Sequence, residues 1–103
     1  MTEVITVEEA LPMEEDDKVL ILDLRPEESY RQFHIENAIP YSLEAIENGE
    51  YCFPEDYCIV LYCEHGGLSL IGAKILGQEG FCARTVLGGM RAYREYGKKN
   101  VLT

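Results

Sequence analysis

At 103 residues the chain has the size of one domain, 1–103, large enough to bury a modest core without metal or disulfide support. Apolar residues make up 47% and charged residues 27%, the balance of a globular chain rather than a disordered one. Nineteen acids against nine bases leave a formal charge of -10, which argues against nucleic acid and anionic membrane surfaces as direct partners.

Met1-Thr2-Glu3-Val4 has neither a basic nor an apolar leader pattern. No apolar stretch approaches the length of a membrane span. The expectation is a cytoplasmic protein whose thiols stay reduced. Val4-Ile5 reads as a short strand, and Thr6 with Glu9 as a capping box opening a helix from Val7 to about Met13. Glu14–Asp17 is an acidic loop, and Lys18–Asp23 an apolar run that fits a strand buried on both faces. Pro26, at an N1-like position, opens a short helix over Glu27–Gln32. Ile39-Pro40-Tyr41 is extended, and Ser42 caps a helix that stops before the turn signal Asn48-Gly49.

Tyr57–Tyr62 is a second central strand. Ser69–Gln78 reads as a helix that Gly80 follows in the manner of a C-terminal cap. Phe81–Leu87 is a further strand, Gly88-Gly89 a turn, and Met90–Tyr96 a closing helix. Strands alternating with helices, without hairpin spacing, imply an α/β fold with a mostly parallel sheet. Sites in such sheets lie beyond the carboxyl ends of the strands, so Asp23, Cys63 and Leu87 are expected along one edge.

Cys63 is the residue with most chemistry in its setting. It ends a strand and enters the loop Glu64-His65-Gly66-Gly67 ahead of a helix near Ser69. Successive N–H groups in a tight loop form an anion cradle, and a following helix adds its positive end. A thiol there is favoured as its thiolate, a nucleophile or a sulfur carrier. The bland alternative is a buried structural cysteine at a strand end. Four cysteines, Cys52, Cys58, Cys63 and Cys82, show neither a CxxC pair nor metal-ligand spacing, so no metal and no cofactor is expected. A Cys52–Cys58 disulfide stays open, although a reducing compartment disfavours it. Cys58 and Cys82 read most simply as buried apolar fillers, and Cys52 as a resolving thiol only if folding brings it near Cys63.

Tyr62-Cys63-Glu64-His65-Gly66-Gly67-Leu68-Ser69, then Gly80-Phe81 and Leu87-Gly88-Gly89-Met90-Arg91-Ala92-Tyr93, resemble the single-domain rhodanese family. The family pattern is YCxxGxRS, then GF, then LxGGxxxW. Upstream, Leu22-Asp23-Leu24-Arg25, Glu28, Tyr30 and His34-Ile35-Glu36-Asn37-Ala38-Ile39-Pro40 resemble further family segments. The resemblance runs from about Val4 to Tyr96. It implies a three-layer sandwich, with a mostly parallel five-stranded sheet and helices on both faces. It implies that Cys63 accepts a sulfane sulfur as a persulfide and passes it to a thiol or similar acceptor. The partners it implies are a persulfide, polysulfide or protein sulfur donor and a thiol acceptor.

The chain departs from the pattern at four places. The loop arginine is Leu68, which cannot attract an anionic donor, so thiosulfate is expected to be a poor one. Tyr93 replaces a tryptophan, while Phe33 and Asn37 replace glycines. The loop also resembles that of cysteine phosphatases, but their essential arginine position is Ser69 here, so the phosphate fork is missing. A catalytically weak binding or regulatory module, with a basic protein as partner, is the alternative reading.

The loop residues Glu64, His65, Gly66, Gly67, Leu68 and Ser69 form the candidate cradle, with Asp23 and Arg25 in support. His65 is either a proton-transfer or anion-holding group or a solvent-facing loop residue. His34 reads as structural, bonding nearby backbone. Asp23 and Arg25 pair with each other or with the loop, Arg25 being the nearest replacement for the missing loop charge. Ser69 donates to the Cys63 sulfur, caps the helix, or both. Tyr51, Tyr57, Tyr62, Tyr93 and Tyr96 read as core and rim packing.

Overall fold

The computed structural model describes the backbone of residues 2–99 and the side chains of residues 2–97. The expected domain 1–103 therefore includes residues outside this range. The strands are β1 Thr2–Ile5, β2 Val19–Asp23, β3 Ala38–Pro40, β4 Cys58–Tyr62 and β5 Cys82–Val86. The helices are α1 Val7–Ala10, α2 Glu27–Gln32, α3 Leu43–Glu47, α4 Gly67–Gln78 and α5 Gly89–Lys99. The five strands form one sheet in the order β1-β5-β4-β2-β3, and every pairing is parallel.

Parallel neighbours need crossovers, and the helices supply them on both faces. Ile59 and Leu61 of β4 face α3 and α4, where Ile46, Ala73 and Leu76 close one core. Val60 and Tyr62 point the other way, into a second core with Val7, Ile35 and Met90. Burial on both faces explains why the strand is a continuous apolar run rather than an alternating one. Cys63 continues the alternation and falls on the α4 side.

The capping box at Thr6 forms as expected: its hydroxyl accepts from Glu9 N at 3.2 Å, and Thr6 N donates to Glu9 Oε1 at 2.9 Å. The helix it opens stops at Ala10 and continues as a 3-10 helix over Leu11–Glu15. Pro12 has no N–H to extend the α ladder, so the acidic stretch begins inside this turn rather than after it. Pro26 is the N-cap of α2, with ψ 146, rather than its first helical residue. Ser42 caps α3 through Ala45 N at 3.0 Å. After α4, Phe81 N bonds Leu76 O and Gly80 N bonds Gly77 O, the paired closure expected of a glycine stop.

The cysteines correct the sequence reading. Cys58 and Cys82 are register partners at the starts of β4 and β5, with Cα atoms 4.7 Å apart, and they form a disulfide. Cys58 is half-buried and Cys82 exposed, so neither is a core filler. The pairing also replaces the open Cys52–Cys58 alternative, and the expectation of reduced thiols throughout does not hold. Spacing along the chain carries no hint of it, because the bridge spans 24 residues and depends on strand order.

Candidate active site

All five strands run the same way, so Asp23, Tyr62 and Val86 end at one edge, and Cys63 follows directly on β4. Cys63 is 3% exposed. Gly66 N donates to its Sγ at 3.1 Å and Ser69 N at 3.5 Å. Ser69 Oγ lies 3.5 Å from the same sulfur. These groups converge because the chain reverses within a few residues. Gly66 has φ 104, a left-handed conformation that costs glycine least, and α4 starts immediately after it. The twelve-residue α4 therefore aims its N-terminal end at the sulfur. The arrangement suits a thiolate or any anion carried on that sulfur.

The helix begins two residues earlier than the sequence suggests, which changes the role of Ser69. It lies inside the first turn rather than capping it. Its hydroxyl lies 3.3 Å from Gly66 O and 2.7 Å from Thr85 Oγ1. Both Ser69 and Thr85 are buried. A polar residue in the buried strand β5 was the available signal for Thr85.

The far side of the loop is clamped by α5. Met90 N donates to Cys63 O at 2.8 Å and Arg91 N to Glu64 O at 3.0 Å. Gly89, with φ 58, permits this approach, since a Cβ there would lie 2.2 Å from Cys63 O.

Asp23 and Arg25 form a buried ion pair, and Arg25 also reaches the loop, so both alternatives hold for Arg25. Arg25 Nη2 donates to Asp23 Oδ2 at 2.9 Å and to Phe33 O at 2.5 Å. Its Nη1 lies 3.8 Å from Glu64 Oε1. Tyr62, the register partner of Asp23, donates its hydroxyl to Asp23 Oδ2 at 2.5 Å and accepts from Ile35 N at 3.1 Å. Burial, reinforced by the Asp23 carboxylate, pushes the Tyr62 phenol well above its ordinary range. Tyr62 thus packs and also orders the polar network beneath the loop.

Glu64 is held by Arg94, a residue the sequence reading missed, through bonds from Nη1 and Nη2 of its guanidinium. The Arg94 hydrogen bond, then its charge and that of Arg25, hold the Glu64 carboxyl below its usual range. Arg94 stands one helical turn beyond Arg91, on a helix whose start packs against the loop; that spacing was its only signal.

Cys63, Glu64, His65, Gly67, Leu68 and Ile71, with Arg25 and Pro26, line a solvent-open cleft of about 450 Å³. His65 is exposed. His34 is away from this cleft's lining: its ring stacks on Tyr30 at 3.9 Å and its Nδ1 lies 3.0 Å from Tyr30 O. Leu87 is exposed on a neighbouring groove shared with His65 and Gly66. Cys52 is exposed between Tyr51 and Phe53, whose rings pack on Phe81 just before β5, at the strand edge opposite Cys63. Among the described residues, no group of three or more His, Cys, Asp or Glu is placed to hold a metal ion. No helix among them is long and apolar enough to cross a membrane.

Residues 6–96 match the family model described as Rhodanese-like domain. The chain belongs to the rhodanese-like domain family. Its relatives include a tRNA sulfurtransferase of Desulfurococcus amylolyticus, 38% identical over 84% of this chain. The chain spans 18% of that relative's length. A thiosulfate sulfurtransferase, GlpE, of Coxiella burnetii is 27% identical over 76% of this chain and 74% of its own. Among solved structures, a rhodanese homolog from Thermus thermophilus superposes with a TM-score of 0.71 at 33% identity. That match covers 87% of this chain and 99% of the homolog. The parallel five-stranded sheet with helices on both faces is thus a rhodanese-like fold, and the same kind of domain occurs in relatives named sulfurtransferases.

Proposed function

We infer that this chain works as a single rhodanese-like domain in which Cys63 accepts a sulfane sulfur and hands it to a thiol. The observation that carries the reading is the sulfur's setting: Gly66 N and Ser69 N both point at Cys63 Sγ, at 3.1 and 3.5 Å. The thiolate attacks the outer sulfur of a donor, a new S–S bond forms, and the donor's old bond breaks as its leaving group departs with the electron pair. The persulfide then occupies the same cradle of N–H donors. An acceptor thiolate attacks the outer sulfur in turn and regenerates the Cys63 thiolate. The sequence is redox-neutral and needs no cofactor.

Glu64, His65, Gly66, Gly67, Leu68 and Ser69 form the cradle and its mouth, and Asp23 and Arg25 hold the loop from below. These roles are positional except at the sulfur itself. Thiosulfate is a poor donor in this account. Leu68 offers no charge, and Arg25 is already engaged by Asp23 and Phe33 O. One alternative has a specific observation behind it. An exposed Leu68 on a chain of formal charge -10 also suits a weakly active module that binds a basic protein.

A single-turnover experiment separates the two. The protein is loaded with polysulfide, desalted and mixed with an acceptor thiol, and the delivered persulfide is measured. Transfer of one sulfur per chain, absent in Cys63→Ser, is expected. Equal delivery by Cys63→Ser would sink the sulfurtransferase reading.

A further inference from the structure

The cleft in front of Cys63 has a feature that a missing loop arginine alone does not explain: an anion is already built into its wall. Glu64 lies on the cleft lining with its carboxylate between Arg94, which bonds it directly, and Arg25 Nη1 at 3.8 Å. Arg25 is itself shut away, its side chain 2% exposed. The nearest cations therefore already have a carboxylate partner belonging to the chain. Apart from the exposed His65 and the Gly67 backbone, the rest of the lining is hydrocarbon. Leu68 and Ile71, on successive turns of α4, stand 48% and 46% exposed on the same lining, with Pro26 opposite. Large aliphatic side chains left half in water beside a reactive sulfur are a binding surface for apolar atoms.

We propose that this cleft selects a small organic persulfide whose carrier group is an uncharged hydrocarbon, and that Glu64 and Leu68 set that choice. The inference rests on the reading of Cys63 as a sulfur acceptor. In the step it specifies, the Cys63 thiolate attacks the outer sulfur of R–S–SH. The bond from that sulfur to R–S breaks, R–S⁻ leaves with the electron pair, and Cys63–S–SH remains. The hydrocarbon R lies against Leu68 and Ile71, leaving water as Cys63 is approached. A sulfonate or thiosulfate group in the same position meets the Glu64 carboxylate and loses water, with His65 the one remaining polar side chain on the lining to offset that. The Glu64 carboxyl is held below its usual range chiefly by the Arg94 bond, so it is an anion at neutral pH.

The test reads the cleft separately from sulfur transfer. In a Cys52→Ser protein, Cys63 is the one thiol outside the disulfide. Its rates of modification are measured with benzyl, 2-sulfonatoethyl and 2-trimethylammonioethyl methanethiosulfonate. Each rate is divided by that of N-acetylcysteine. The normalised benzyl rate is expected to exceed the sulfonatoethyl rate by about tenfold. Leu68→Arg with Glu64→Gln is expected to bring the two within about twofold. Equal normalised rates in the Cys52→Ser protein would overturn the proposal. So would a preference for the cationic reagent, which would point to a basic donor instead. If Cys63 takes no sulfur from any donor while the benzyl preference stands, the sulfurtransferase reading fails and the apolar selectivity does not.

Discussion

Gly89 and Cys63 are in backbone contact: a side-chain carbon on Gly89 would lie 2.2 Å from the Cys63 carbonyl oxygen. That carbonyl is the acceptor for Met90 N at 2.8 Å, so the turn into α5 fixes the residue carrying the sulfur. Gly89→Ala adds a steric clash to a left-handed φ of 58. The expected cost is about 2–4 kcal/mol in urea unfolding. Sulfur loading of the folded fraction should also fall, because moving Cys63 O moves the loop. An unchanged midpoint and unchanged loading would contradict the clamp.

Tyr62 gives a second prediction with a pH signature. Its hydroxyl serves Asp23 and Ile35 N at once, so Tyr62→Phe leaves a buried N–H unpaired and should cost about 1–3 kcal/mol. The raised phenol pKa sets the sign. Below the ordinary tyrosine value of about 10, folded and unfolded chains are both protonated and the contribution is intact. Above it, the unfolded phenol ionises first, so stability falls as pH rises towards the folded value. The wild-type protein should lose stability in this alkaline limb, and Tyr62→Phe should make the limb shallower. Parallel limbs in the two proteins would remove Tyr62 from the account.

The Cys58–Cys82 bridge closes a loop of 24 residues between neighbouring strands. Loop entropy alone assigns it about 3 kcal/mol. Reduction, or a Cys58→Ser/Cys82→Ser double variant, should lower the unfolding midpoint by a corresponding amount. Cys63 reactivity should be unchanged, since the bridge lies at the opposite ends of the strands. Identical midpoints with and without reductant would contradict the bridge's contribution.

The fold was legible because each element announced itself locally. Thr6 with Glu9, Ser42, Gly80 and the buried runs ending at Asp23 and Tyr62 all form what their chemistry suggests. The placement of Cys63 was legible for the same reason: a strand end and a glycine loop are features of adjacent residues. What the chain order hides is what only strand pairing and helix packing bring together. Cys58 meets Cys82 because β4 lies beside β5, and Arg94 meets Glu64 because α5 docks on the loop. Of the two roles expected of Ser69, the cap does not form, because Gly66 is the N-cap and α4 starts at Gly67.

The central claim is that Cys63 carries sulfur. Intact mass measurement after incubation with a polysulfide or an organic persulfide, followed by peptide mapping, tests it most directly. The account predicts the added mass of one sulfur atom on Cys63 in the wild-type protein and none at residue 63 in Cys63→Ser. Added sulfur confined to Cys52, or none with any donor, would contradict it.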